Sequence, residues 1–189
     1  MKNLLRKADL KALAKLQDSR LDFITGFDVS DDLYSDLILI STSLGNLVVR
    51  SEVVIGVFEG FRNEYSNLRF NEAPVNTVDQ VLNDGLRYLK QKNSVIKAAE
   101  IVRAKFEHFE NGKSAWVYET DLAILLRTSV GFITIKKDSI HNEVLIVDYS
   151  SDEPSLAGLD VSNRFENDLF ENTAVSVQRL DVFDLLAGA

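Results

Sequence analysis

The sequence predicts an α+β fold, with a mainly antiparallel sheet, a central helical pair at about residues 77–110 and an N-terminal helix packed on it. Three observations predict this. Apolar residues recur at helical spacing near the start and in the middle of the chain. Short β-prone runs lie on both sides of that middle region. Most of those runs are joined by turns too short for a crossover, which favours antiparallel pairing over a doubly wound parallel sheet.

The first element is a helix over Met1–Gln17, with Leu5, Ala8, Ala12, Leu13 and Leu16 on one side. Lys7, Lys11 and Lys15 form a basic stripe, Asp9 interrupts the helix, and Asp18-Ser19 ends it. Leu37–Ser43 and Leu47–Ser51 read as strands around Leu44-Gly45-Asn46, where Gly-Asn is a hairpin signal. Glu52–Phe58 continues as a strand or begins a helix. The spacing of Phe58, Phe61, Tyr65 and Leu68 predicts a helical turn or two.

The helical pair follows. Thr77 and Gln80 form a capping box ahead of Val78, Val81, Leu82, Leu86 and Leu89, with a turn signal at Asn83-Asp84-Gly85. Asn93 or Ser94 caps a second helix carrying Val95, Ala98, Ala99, Val102, Phe106 and Phe109 on one stripe, and Asn111-Gly112 stops it. The period then becomes strand-like over Ala115–Glu119, Leu122–Arg127, Val130–Lys136 and Glu143–Tyr149. Ser150–Ser162 reads as a loop, Asn163–Phe170 as a short helix and Thr173–Leu186 as a last strand. No internal repeat is evident at this level.

The length of 189 residues suits one domain, 1–189, with one continuous core. Apolar residues at 46% and charged residues at 26% match ordinary globular proteins. The absence of cysteine excludes disulfides, thiol catalysis, zinc ribbons and iron–sulfur clusters, and fits a reducing, cytoplasmic compartment. No signal-peptide pattern opens the chain, and no apolar run reaches the roughly 18 residues that a membrane-spanning helix needs.

Charge is segregated. Residues 1–142 hold 19 basic and 19 acidic side chains, whereas residues 143–189 hold Arg164 and Arg179 against ten acids. The whole formal charge of −8 therefore belongs to the last quarter, which disfavours direct nucleic-acid binding.

Motifs for common chemistries are missing. Gly112-Lys113 lacks the upstream glycine of a phosphate-binding loop because position 107 is Glu, and no Gly-x-Gly-x-x-Gly, Gly-x-Ser-x-Gly or His-Glu-x-x-His occurs. His108 and His141 have no second ligand at metal-site spacing. Carboxylates at Asp31, Asp32, Asp36, Asp148, Asp152 and Glu153 are the material for hydrolysis or Mg²⁺ binding, with Asp148 the most interesting because it ends an apolar strand run.

The expectation is a non-enzymatic acidic protein that binds a basic protein partner, in the manner of an inhibitor, antitoxin or immunity protein. The expected contact residues are Asp160, Glu166, Asp168, Phe170 and Glu171, apolar anchors set among acids. No catalytic residue, metal or cofactor is expected under that reading. The alternative is a small-molecule or metal-dependent enzyme working through carboxylates such as Asp148 and Asp152.

Overall fold

A computed structural model of the chain describes residues 1–26, 33–58, 61–73, 87–89, 94–138, 144–156 and 172–188. In chain order these form β1 (Lys2–Asn3), α1 (Lys7–Ala14), β2 (Leu21–Gly26), β3 (Leu33–Ser35), β4 (Leu37–Thr42), β5 (Gly45–Phe58), β6 (Phe61–Glu72), β7 (Arg87–Leu89), β8 (Ile96–Glu110), β9 (Lys113–Thr128), β10 (Gly131–Lys137), β11 (Leu145–Ser150), β12 (Thr173–Asp181) and α2 (Val182–Ala187).

Two sheets result. One runs β12-β8-β9-β10-β11-β3, with β1 pairing in parallel against β9; the other runs β6-β5-β4-β2-β7. A single apolar cluster joins Ile38, Ile40, Leu47 and Val49 of the five-stranded sheet to Ile124, Leu126, Ile133 and Ile135 of the seven-stranded one. Leu10, Leu13 and Leu16 of the α1 region and Val182 of α2 pack into the same cluster. No helix among the described residues is long and apolar enough to cross a membrane.

The α+β fold with a central helical pair is corrected by this architecture. The second expected helix is β8, which pairs with β9 along its whole length. Its sequence satisfies both periods: Val102, Ala104 and Phe106 alternate with Arg103, Lys105 and Glu107, while Val102 and Phe106 also lie on a helical stripe with Ala98, Ala99 and Phe109. The sheet prevails because β9 and β12 offer ladder partners on both sides, burying Ile101, Val102, Ala104 and Phe106 completely. Asn111-Gly112 is not a helix stop but a two-residue hairpin loop, with φ of 50° and 73°, the type I′ geometry that Asn-Gly favours. Of the first expected helix, 77–86 lies outside the described residues, and Arg87–Leu89 is a strand paired with β2. The helical turns expected over Phe58–Phe70 are instead β6, and the last expected strand stops at Asp181. The Asp181 carboxylate accepts from the backbone N–H of Phe183 at 2.7 Å and of Asp184 at 3.3 Å, capping α2.

The structure also contains an internal repeat. Strands β2, β4, β5 and β6 match β8, β9, β10 and β11 in order, and the pairing registers coincide. Leu21 faces Thr42 as Ile96 faces Thr128, each with a register shift at the next position, and Ile40 faces Leu47 as Leu126 faces Ile133. Thr42-Ser43-Leu44-Gly45 and Thr128-Ser129-Val130-Gly131 form the same turn, each threonine Oγ1 donating to the glycine carbonyl, at 3.0 and 3.1 Å. The two copies meet at an antiparallel bridge between the equivalent residues Arg20 and Val95. Leu21 N–H donates to Ser94 C=O at 2.7 Å and Ile96 N–H to Ser19 C=O at 2.9 Å. Equivalent residues pairing antiparallel with reciprocal bonds define a local two-fold axis through that bridge. In the sequence the repeat shows only around that turn, where Ile38-Leu39-Ile40-Ser41-Thr42-Ser43-Leu44-Gly45 and Ile124-Leu125-Leu126-Arg127-Thr128-Ser129-Val130-Gly131 share five of eight residues.

Candidate functional site

Asp160, Glu166, Asp168, Phe170 and Glu171 lie outside the described residues, as do Asp31, Asp32 and His141. Glu143 lies outside them too, and the other tail acids have defined places. Asp148 is held by Lys136 at 2.6 Å, and Glu153 by Arg179, which also donates to the Pro154 carbonyl. Asp152 and Asp184 are exposed, and Phe183 stands 46% exposed beside Asp184. Helix α1 packs against α2. Its flanking Lys15 pairs with Glu72 of β6 rather than with a tail acid.

His108 sits near the end of β8, its ring stacked on Trp116 with centroids 5.1 Å apart and its Nδ1 3.1 Å from Thr173 Oγ1. Among the described residues no group of three or more His, Asp or Glu side chains is placed to hold a metal ion. Asp36 and Asp152 stand apart from any such cluster.

The densest polar chemistry is a buried network that sequence reasoning missed. It joins the N-terminal segment, β6, β8, β9 and β10. The Asp9 side chain is fully buried. Its carboxylate accepts from Arg6 N–H at 2.8 Å, Arg6 Nε at 2.9 Å, Arg6 Nη2 at 3.1 Å and the Phe70 backbone N–H at 3.0 Å. Burial pushes its pKa up, but the bonds from Arg6 and Phe70 outweigh that and hold it below the ordinary carboxylate range. Asp9 thus does two things: it fastens the first turn of α1 and occupies a donor on the outer edge of β6.

Asp121, 1% exposed, holds Arg103 at 2.6 and 3.2 Å and accepts from Leu5 N–H at 2.7 Å. Lys137 is completely buried, donating to the Ser66 carbonyl at 2.8 Å and to Thr120 Oγ1 at 3.0 Å. Burial pushes its ammonium down to about 7, with Asp121 opposing the shift and Arg69 reinforcing it. Arg69 lies between Asp9 at 3.9 Å and Glu52 at 3.6 Å. In this network three carboxylates (Asp9, Glu52, Asp121) face three guanidiniums (Arg6, Arg69, Arg103), and Lys137 is the additional cation. Arg6 and Glu52 stand at the exposed margin of the network, while the buried Asp9, Asp121 and Lys137 are each bonded to another part of the chain and clamp β6 to β9 and β10. The available signal was Asp9 itself, a charge interrupting the expected amphipathic helix Met1–Gln17.

A groove of about 330 Å³ lies between the end of α1 and the β4–β5 turn, lined by Ala12, Leu16, Leu44, Asn46 and the Lys15–Glu72 pair. It carries no further titratable group. Comparison with family models, curated proteins and solved structures found no match to this chain.

Proposed function

We propose that this chain is a non-enzymatic binding protein whose acidic C-terminal quarter engages a basic protein partner, as an inhibitor, antitoxin or immunity protein does. The observation that carries the reading is the segregation of charge, with two arginines against ten acids in residues 143–189 and exact balance before them. Two further points support it. The lysine-bearing first helix does not draw on this charge through Lys15, which is taken by Glu72. The buried Asp9, Asp121 and Lys137 are each bonded within the chain, and Lys137 ties one sheet to the other. Opposite charge across an interface accelerates encounter and rejects wrong partners, which suits a protein acting by capture.

The test is capture from native lysate at low and high salt, with the wild type and with Glu166→Lys, Asp168→Lys and Glu171→Lys combined. The expected result is a basic protein released by salt and lost on charge reversal. A partner retained in the charge-reversed variant, or no salt-eluted partner at all, overturns the reading.

A further inference from the structure

We infer that the outer edge of β12 is the docking strand for that partner, which adds an extended, basic-flanked segment to the seven-stranded sheet; the inference rests on the binding reading above. Among the described residues β12 is the terminal strand of its sheet, and it pairs with β8 through nine consecutive positions without a register shift. Phe109 N–H donates to Asn172 C=O at 3.0 Å, which fixes the phase of the ladder. Residues 174, 176, 178 and 180 therefore turn their backbone groups to β8. Thr173, Val175, Val177 and Arg179 turn theirs outward.

Long free edges are ordinarily blunted by charge, proline, bulges or short length. The other terminal strands among the described residues follow that rule. β3 and β7 have three residues each, and β6 carries Arg69 and Glu72, with its Phe70 N–H taken by Asp9. β12 departs from it. Its first six residues, Thr-Ala-Val-Ser-Val-Gln, carry no charge and no proline, and Ala174, Val175, Ser176 and Gln178 are exposed. The internal repeat sharpens the contrast: β7 fills the corresponding place beside β2 with three residues, whereas β12 extends to nine.

Charge selects the occupant. Exposed Glu110 lies near the Thr173 end, and Asp181, opposite Glu100, and exposed Asp184 lie at the other. Arg179 on the strand and Lys105 opposite Ser176 are held by Glu153 and Glu107. A second copy would bring a further −8 to the same place and be repelled. A strand of small uncharged residues with Lys or Arg at both ends satisfies the edge and its flanks together.

The test uses the full chain and a capped probe peptide, Lys-Lys-Thr-Val-Thr-Val-Thr-Lys-Lys, with two control peptides. One control is N-methylated at alternate residues, and the other has every Lys replaced by Glu. Binding is read by calorimetry, and amide hydrogen exchange locates it. The lysine peptide is expected to bind and to protect the Val175 and Val177 amides, and N-methylation to weaken it about tenfold or more. Val175→Pro removes an outward N–H and leaves the β8 ladder intact, so it should weaken binding similarly at an unchanged unfolding midpoint. Val175→Lys serves should the proline variant fail to fold, and the N-methyl arm needs no variant.

Binding indifferent to N-methylation and to both variants overturns strand addition while leaving charge-driven docking intact. No binding of the lysine peptide at low salt overturns the inference, and the lysate capture then shows separately whether the binding reading survives. Equal binding of the glutamate peptide overturns the basic occupant. A wild-type dimer that Val175→Pro renders monomeric by light scattering makes the occupant a second copy and overturns it too.

Discussion

Lys137 Nζ donates to the Ser66 carbonyl from 2.8 Å, tying the end of β10 to the middle of β6 inside the protein. The ammonium pKa is about 7 in the folded chain, against 10.5 for an ordinary lysine. Between those values the unfolded chain binds the proton and the folded chain does not, so stability rises with pH across that window. Below 7 both states are protonated and the burial penalty is present in full. The unfolding free energy from denaturant titrations should climb from pH 7 to pH 10 by an amount on the order of a few kcal/mol. Above about pH 10 the trend should reverse, because burial raises Tyr118 to about 12 and Tyr149 higher still, so the unfolded tyrosines ionise first. Lys137→Met should remove the rise from 7 to 10. A slope that persists in that variant would show that another group titrates.

Asp9→Ala should destabilise by about 3 kcal/mol or more, because it strips the Phe70 N–H of its acceptor, breaks the cap that Arg6 and Asp9 form on α1 and leaves Arg69 with Glu52 alone. Urea unfolding measures this. A loss near that of an exposed ion pair, under about 1 kcal/mol, would contradict the role given to Asp9.

The equivalent turn glycines should respond unequally. Gly45 and Gly131 both have positive φ, 138° and 152°, so alanine is strained at each. A Cβ at Gly131 would stand 2.3 Å from the Ser150 carbonyl oxygen, whereas one at Gly45 meets nothing within 4 Å. Gly45→Ala should therefore cost about 1–3 kcal/mol and Gly131→Ala clearly more. Thermal melts of the two variants side by side decide it.

Tyr149 OH is buried at the margin of the main core, with no hydrogen-bond partner among the described residues. Tyr149→Phe keeps the ring and removes that hydroxyl. It should leave stability unchanged or raise it by about 1 kcal/mol. A loss of more than that, by urea unfolding, would reveal a partner for the hydroxyl.

The parts of the fold that rest on local pattern were legible. Leu37–Thr42 and the strand after it form the expected hairpin, although the turn is Ser43-Leu44 and not Gly-Asn. The alternation of Phe132, Thr134 and Lys136 with Ile133 and Ile135 is a strand with one face in the core. The helix at the N-terminus is present but shorter, at Lys7–Ala14. What failed was the segment where two periods coexist. Val95–Phe109 carries a helical stripe and a strand alternation at once, and only the long-range partners β9 and β12 choose between them. The buried network was illegible for a related reason. Asp9, Asp121 and Lys137 are far apart in sequence, and each taken alone looks like an ordinary solvated charge. The expected contact acids at 160–171 fall outside the described residues, so the sequence remains the basis for them.

Matching registers on either side of Arg20 and Val95 carry a hazard during synthesis. β2 and β8 present nearly the same edge to β4 and β9, with Leu21 and Ile96 answering Thr42 and Thr128. A nascent chain could seat the wrong copy at little local cost. Discrimination must come from what the copies do not share, above all the fourteen residues of β5, which pair with β6 at twelve positions, against the seven of β10, which pair with β11 at six. That long hairpin therefore serves as the marker that tells one half of the molecule from the other.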